Sequence, residues 1–198
     1  MKKVMIDCDV GVDDALGLIL AFHSSELDVK AVTGVNGNVP LEQVFENIQK
    51  VLSLIRPDRR PLIARGAGQP LKGRPVYAHS VHGQDGLGGA KISREKGKTW
   101  WQSYAGPADE LITKMARQNP GEITLIATGP LTNVALAIQK DTEGMGKVKE
   151  IVIMGGAVRI GAWIAIQIWA RFRAETQPRM LLMVGTGTRT GTGYGRRG

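Results

Sequence analysis

The 198-residue chain has a single cysteine, Cys8, so it can close no internal disulfide. That composition suits a reducing, cytoplasmic setting. Aromatics make up only 5%, which leaves aliphatic side chains to fill the interior. No apolar run approaches the ~18 residues of a membrane span. Met1-Lys2-Lys3 carries the charge of a leader's first residues, but Asp7 and Asp9 interrupt the apolar stretch that should follow, so secretion is not expected. No histidine follows His82, no aspartate follows Asp141, and there is no internal repeat. What is present, 42% hydrophobic and 22% charged residues, suffices for one packed domain and is too apolar for general disorder.

The net charge of +8 is unevenly placed. Residues 1–156 carry 19 Lys/Arg against 17 Asp/Glu, while residues 157–198 carry seven Arg against the lone Glu175. The basic excess therefore describes the end of the chain, and the nearly neutral body argues against nucleic acid as its partner.

Strand and helix patterns alternate along the body. Val4–Asp9 reads as a buried strand broken by Gly11, and Ala15–His23 as an amphipathic helix opened by Asp13-Asp14. Val29–Val35, Pro61–Ala64, Ile123–Ala127 and Ile151–Met154 read as strands; Leu41–Ile55, Ala108–Arg117 and Leu131–Gln139 read as helices. Residues 65–106 read as a long irregular connection. This alternation predicts an α/β fold, an open and mostly parallel sheet with flanking helices. Ligands of such sheets bind beyond the carboxyl ends of the strands, an edge that would collect Asp7, Asp9, Asn38, Thr128 and Gly155. After Val158 the texture changes, and residues 159–198 read as a divergent, basic, Gly/Thr/Arg-rich tail from a shifted frame or a truncated gene. Its low-complexity end, 185–198, cannot bury a core and is expected to be disordered.

Four acids, Asp7, Asp9, Asp13 and Asp14, fall within eight residues. Strand alternation puts Asp7 and Asp9 on one face with Cys8 opposite, and the turn through Gly11 can return Asp13 and Asp14 towards them. Two carboxylates ~4 Å apart repel by about 1 kcal/mol in water and about 4 kcal/mol at an effective dielectric of 20. A helix N-terminus offers about half a positive charge; a divalent cation offers more, and an all-oxygen set suits Ca²⁺ or Mg²⁺. The competing account is that Asp13 or Asp14 merely caps the helix.

Three further segments stand out. Asn38, after a strand end, can donate to and accept from a sugar hydroxyl, or simply turn the chain. Ala127-Thr128-Gly129-Pro130-Leu131-Thr132-Asn133 is accounted for as a well-capped strand–turn–helix. Val81–Gly89 has glycines that permit close approach but no phosphate-loop ending, and His82 within it reads as structural.

Taken together, these segments resemble the inosine–uridine nucleoside hydrolase family. Asp7-Cys8-Asp9-Val10-Gly11-Val12-Asp13-Asp14-Ala15 is similar to its amino-terminal DxDxGxDDA signature, with Val10 where proline is usual. Gly37-Asn38 with Asn47, His82–Gly88, Ala127–Asn133 and Met154-Gly155-Gly156 resemble later motifs in the same order, over residues 1 to about 158. The resemblance implies a Ca²⁺-dependent hydrolase that cleaves ribonucleosides to ribose and free base, and commonly a homo-oligomer. It implies Asp9, Asp14 and the Thr128 carbonyl as Ca²⁺ ligands, with Asp7 in or beside the shell. Asp9 would also orient and deprotonate the attacking water, and Asp13 and Asn38 would bind ribose hydroxyls. The family's later Asn and His-Asp residues have no counterpart after Val158. Two other readings compete: a haloacid dehalogenase-type phosphatase, because Asp7-Cys8-Asp9 ends a first strand, and a non-catalytic fragment whose basic arm binds nucleic acid.

Overall fold

The computed structural model describes residues 1–94 and 97–155, and the backbone alone of 179–183. Seven strands form one sheet: β1 (Lys2–Cys8), β2 (Leu27–Gly34), β3 (Leu62–Arg65), β4 (Gln102–Ser103), β5 (Ile123–Ala127), β6 (Glu150–Met154) and β7 (Arg179–Met183). Their order is β4-β3-β2-β1-β5-β6-β7, and every neighbouring pair is parallel. The expected open parallel sheet is therefore present. β7 lies within the stretch read as a tail. The rest of that stretch, with its apolar run at 160–169 and its low-complexity end, lies outside the described residues.

Period-two alternation sorts the strand side chains into two cores. Val4, Ile6 and Cys8 of β1, with Val32 and Ile63, face α1 (Val12–His23) and α2 (Leu41–Ile55). Met5, Ala31, Leu125, Ile151 and Ile153 face α4 (Ala108–Gln118), α5 (Thr132–Lys140) and α6 (Thr142–Met145). The inward face of α2 is mostly aliphatic, with Val44, Ile48, Val51 and Leu52 fully buried, and it also buries Asn47 and Ser53. The α1 helix departs from the expected amphipathic pattern. It buries Leu18 and Ala21 and leaves Leu16 and Leu20 exposed.

The connection 65–106 is less irregular than its composition predicts. It contains the single turn α3 (His79–His82) and the edge strand β4. The sheet winds outwards in both directions from the β1/β5 boundary, which makes the carboxyl ends of these two strands the topological switch point, the edge at which such sheets bind their ligands. No helix among the described residues is long and apolar enough to cross a membrane.

Candidate active site at the carboxyl edge of the sheet

The turn that leaves β1 carries the acids. Asp7 is the penultimate residue of the strand, on the face of Met5, and is fully buried. Its Oδ1 accepts from the Thr33 hydroxyl at 2.5 Å and from Asn133 Nδ2 at 2.8 Å, whereas Oδ2 is buried without a hydrogen-bond partner. Burial pushes its carboxyl up to about 6, against the pull of those two donors.

Asp9 lies just past the strand and is also buried. The Asn38 backbone N–H donates to its Oδ2 at 2.7 Å. Two glycines make room for it: a methyl on Gly37 would collide with the Asp9 carboxylate, and one on Gly129 would stand 3.0 Å from Asp9 N and 3.2 Å from Oδ1. Asp14, in the first turn of α1, is buried with its Oδ2 unpartnered. Burial, then the charges of Asp9 and Asp13, push it up to about 7, opposed by the Thr128 side chain. Burial likewise raises Asp9. Three buried carboxyls, Asp7, Asp9 and Asp14, thus lie near one another in a low-dielectric setting at the end of β1, and their charges raise one another's proton affinity.

The capping account of Asp13 and Asp14 fails. Gly11 is the N-cap of α1, no side chain caps it, and Ala15 N donates to Gly11 O at 3.0 Å. Asp13 instead points outwards, with 59% of its side chain exposed, and lies 3.8 Å from His82 Nδ1. That ring nitrogen accepts the Val12 N–H at 3.3 Å. A methyl on Gly11 would meet Asp13 Oδ1 at 2.7 Å, Asn38 Nδ2 at 2.8 Å and His82 Cε1 at 2.8 Å. Asp13, Asn38 and His82 therefore converge over Gly11, on the open side of the buried acids. His82, read from sequence as structural, stands on this rim.

Thr128 begins the loop after β5, and its N–H donates to Asp7 O at 2.9 Å. The segment that follows corrects a second expectation: Leu131 is the N-cap of α5, no side chain caps that helix, and Thr132 and Asn133 lie inside its first turn. Asn133 is fully buried. Its Nδ2 serves Asp7 and the Gly34 carbonyl, at 2.8 and 3.1 Å, and its Oδ1 accepts the Ala67 N–H at 2.7 Å. One amide ties β1, β2 and the loop after β3 together beneath the site. Sequence reasoning did not find this role, because the partners lie far away in the chain.

The pocket's chemistry fits a hard cation. Two orphaned carboxylate oxygens, of Asp7 and Asp14, are what a site built for a positive charge leaves when only protein atoms are counted. Among the described residues, no three His, Cys, Asp or Glu side chains converge closely enough to hold a metal on their own. A complete shell needs main-chain oxygens, water or atoms from elsewhere.

The profile of the inosine-uridine preferring nucleoside hydrolases matches residues 4–175, past the change of texture at Val158. The pyrimidine-specific ribonucleoside hydrolase RihA of Salmonella paratyphi A is 39% identical over 160 residues, 81% of this chain and 50% of that protein. The chain thus spans about half the length of the curated relatives it matches. A plant nucleoside hydrolase structure superposes with a TM-score of 0.78 at 31% identity, covering 92% of this chain and 59% of its own. A purine-preferring ribonucleoside hydrolase from Gardnerella vaginalis, at 24% identity, shares the fold with a TM-score of 0.79, over 92% of this chain and 60% of its own.

Proposed function

Because the chain belongs to the inosine–uridine preferring nucleoside hydrolase family, we propose that its site serves hydrolysis of the N-glycosidic bond of ribonucleosides, giving ribose and free base, with Ca²⁺ as cofactor. The observation that carries this reading is the pair of orphaned buried oxygens, Asp7 Oδ2 and Asp14 Oδ2, at the switch point of the sheet. The phosphatase alternative gains no support, since the acid turn falls inside the hydrolase match.

Asp9, Asp14 and the Thr128 carbonyl would hold the ion, with Asp7 in or beside its shell. Ca²⁺ bound there would supply charge that acidifies a neighbouring water and orders ribose hydroxyls. Asp9 accepts the proton of the attacking water. Burial raises its affinity for protons, and the Asn38 N–H and the bare faces of Gly37 and Gly129 fix its orientation. The water oxygen bonds to C1′ as the C1′–N bond breaks; the departing base takes that electron pair and a proton from solvent, and Asp9 returns its proton to solvent. Positive charge develops on the ribose in between, and the carboxylates of Asp13 and its neighbours stabilise it. The exposed Asp13 and the half-buried Asn38 side chain, both over Gly11, bind ribose hydroxyls.

The named relatives differ in the base they prefer, so the proposal stops at ribonucleosides. It also takes the protein to act in the cytoplasm as a homo-oligomer. The test is calorimetric titration of Ca²⁺ into the full chain, together with ribose release from uridine and inosine. Saturable Ca²⁺ binding that Asp14→Ala weakens at least ~10-fold is expected. Ca²⁺ binding unchanged by Asp14→Ala, or release of phosphate from p-nitrophenyl phosphate instead of ribose from nucleosides, overturns the reading.

A further inference from the structure

Asn47 stands in the apolar stripe of α2, between Val44, Ile48 and Val51, and is fully buried. An uncompensated carboxamide in such a stripe is destabilising, so its partners explain its presence. Its Oδ1 accepts from Gln43 Nε2 at 3.0 Å. Its Nδ2 donates to two main-chain carbonyls: Asp85 O at 2.7 Å, in the glycine loop, and Val10 O at 3.4 Å, in the acid turn. Neither acceptor belongs to the helix or to the sheet.

Both loops are shaped to meet this amide. Val10 is buried and has φ +22°, an unusual value for a β-branched residue, so its carbonyl direction is set by its surroundings rather than by its own preference. Gly86 has φ +76°, and a methyl there would stand 2.9 Å from Asn47 Nδ2 and 3.2 Å from Val10 O. Asp85 closes its loop from the other side, its Oδ1 accepting the Leu87 and Gly89 N–H groups at 3.0 and 3.1 Å.

We propose that Asn47 is a positioning residue, whose buried carboxamide fastens the acid turn to the glycine loop, so that Asp9, Asp13 and His82 are held in register as one unit. The acid turn carries the groups assigned above to the cation and ribose, and the glycine loop carries His82 on the rim. Without the amide, the hydrogen bond left between the two among the described residues is Val12 N–H to His82 Nδ1, beside the Asp13–His82 approach at 3.8 Å and the apolar packing of Val10 and Leu87. The catalytic relevance of the fastening rests on the proposed function; the fastening itself does not.

Residue-resolved amide hydrogen exchange on the full chain tests it. The reporters are Gly88, whose N–H donates to His82 O, for the glycine loop, and Ala15 and Asn38, whose N–H groups donate to Gly11 O and Asp9 Oδ2, for the acid turn. Asn47→Leu keeps the volume and removes both donors. It should speed exchange at least ~10-fold at all three reporters, leave β1 and β5 protected, and weaken Ca²⁺ binding. Asp85→Ala loosens only the glycine loop and spares α2. It should still speed exchange at Ala15 and Asn38, and in the Asn47→Leu background it should add nothing there. A response confined to Gly88 in Asp85→Ala overturns the proposal, as does a uniform loss of protection in Asn47→Leu. If wild-type chain binds no Ca²⁺ yet the exchange pattern is as described, the functional reading falls and the fastening stands.

Discussion

At the scale of single residues, the site is organised less by its acids than by the amides and glycines around them. Asn133 shows this. Replacing it with Leu leaves the Gly34 carbonyl and the Ala67 N–H without that partner and halves the support of Asp7 Oδ1. Each buried group left unsatisfied costs about 1–3 kcal/mol, so Asn133→Leu should lower unfolding free energy by at least about 2 kcal/mol in urea titrations. Gly37 acts through space instead. Its Cα face abuts the Asp9 carboxylate, so Gly37→Ala should weaken Ca²⁺ affinity at least ~10-fold by calorimetry while the far-UV circular dichroism stays unchanged. The four acids were legible in the sequence because period-two alternation and a glycine turn are local rules. Asn133 and Asn47 stood out only as members of motifs, and their bonding roles were not legible, because those roles lie in partners 126 and 38 residues distant. Asn47 did leave a trace: a carboxamide on the mostly aliphatic stripe of its helix.

At the scale of elements, the longer strands and helices follow from hydrophobic period. Four-residue α3 and two-residue β4 are too short to show one, and neighbours hold them: Gln102 N donates to Pro61 O and Tyr104 N to Ile63 O at β4, and Ala78 N, at the N-cap of α3, donates to Asn38 O. The acid turn is the element whose conformation the sequence conceals. The family signature usually has proline at position 10, yet Val10 here has φ +22°. Proline is locked near −65°, so Val10→Pro would swing the following carbonyl away from Asn47. The variant should be destabilised by about 1–3 kcal/mol in urea, with faster exchange at the Gly88 amide. If Val10→Pro is neutral, the turn has no need of its present shape.

At the scale of the whole molecule, placing the acids at the switch point of a parallel sheet links folding to protons and cations. Asp7 and Asp14, raised to about 6 and about 7 from 3.8, bind protons more tightly folded than unfolded. Their contribution to stability is therefore complete below about pH 4 and is lost as pH rises through 6 and 7. Asp85 and Asp141 run the other way, held low by the Gly89 amide and by Arg117. Their contribution is present above 3.8, so it is constant between pH 5 and 8. Over that window the chain in EDTA should lose thermal midpoint because of Asp7 and Asp14, and Asp14→Asn should flatten the decline. A cation that binds only the folded state adds RT ln(1 + [L]/Kd), about 2.7 kcal/mol at a hundredfold excess over Kd. Protons compete for the same oxygens, so Ca²⁺ should raise the midpoint more at pH 8 than at pH 5. Scanning calorimetry at both pH values, with EDTA and with excess Ca²⁺, checks both halves. An equal Ca²⁺ shift at the two pH values would mean that the ion binds elsewhere than among these carboxyls.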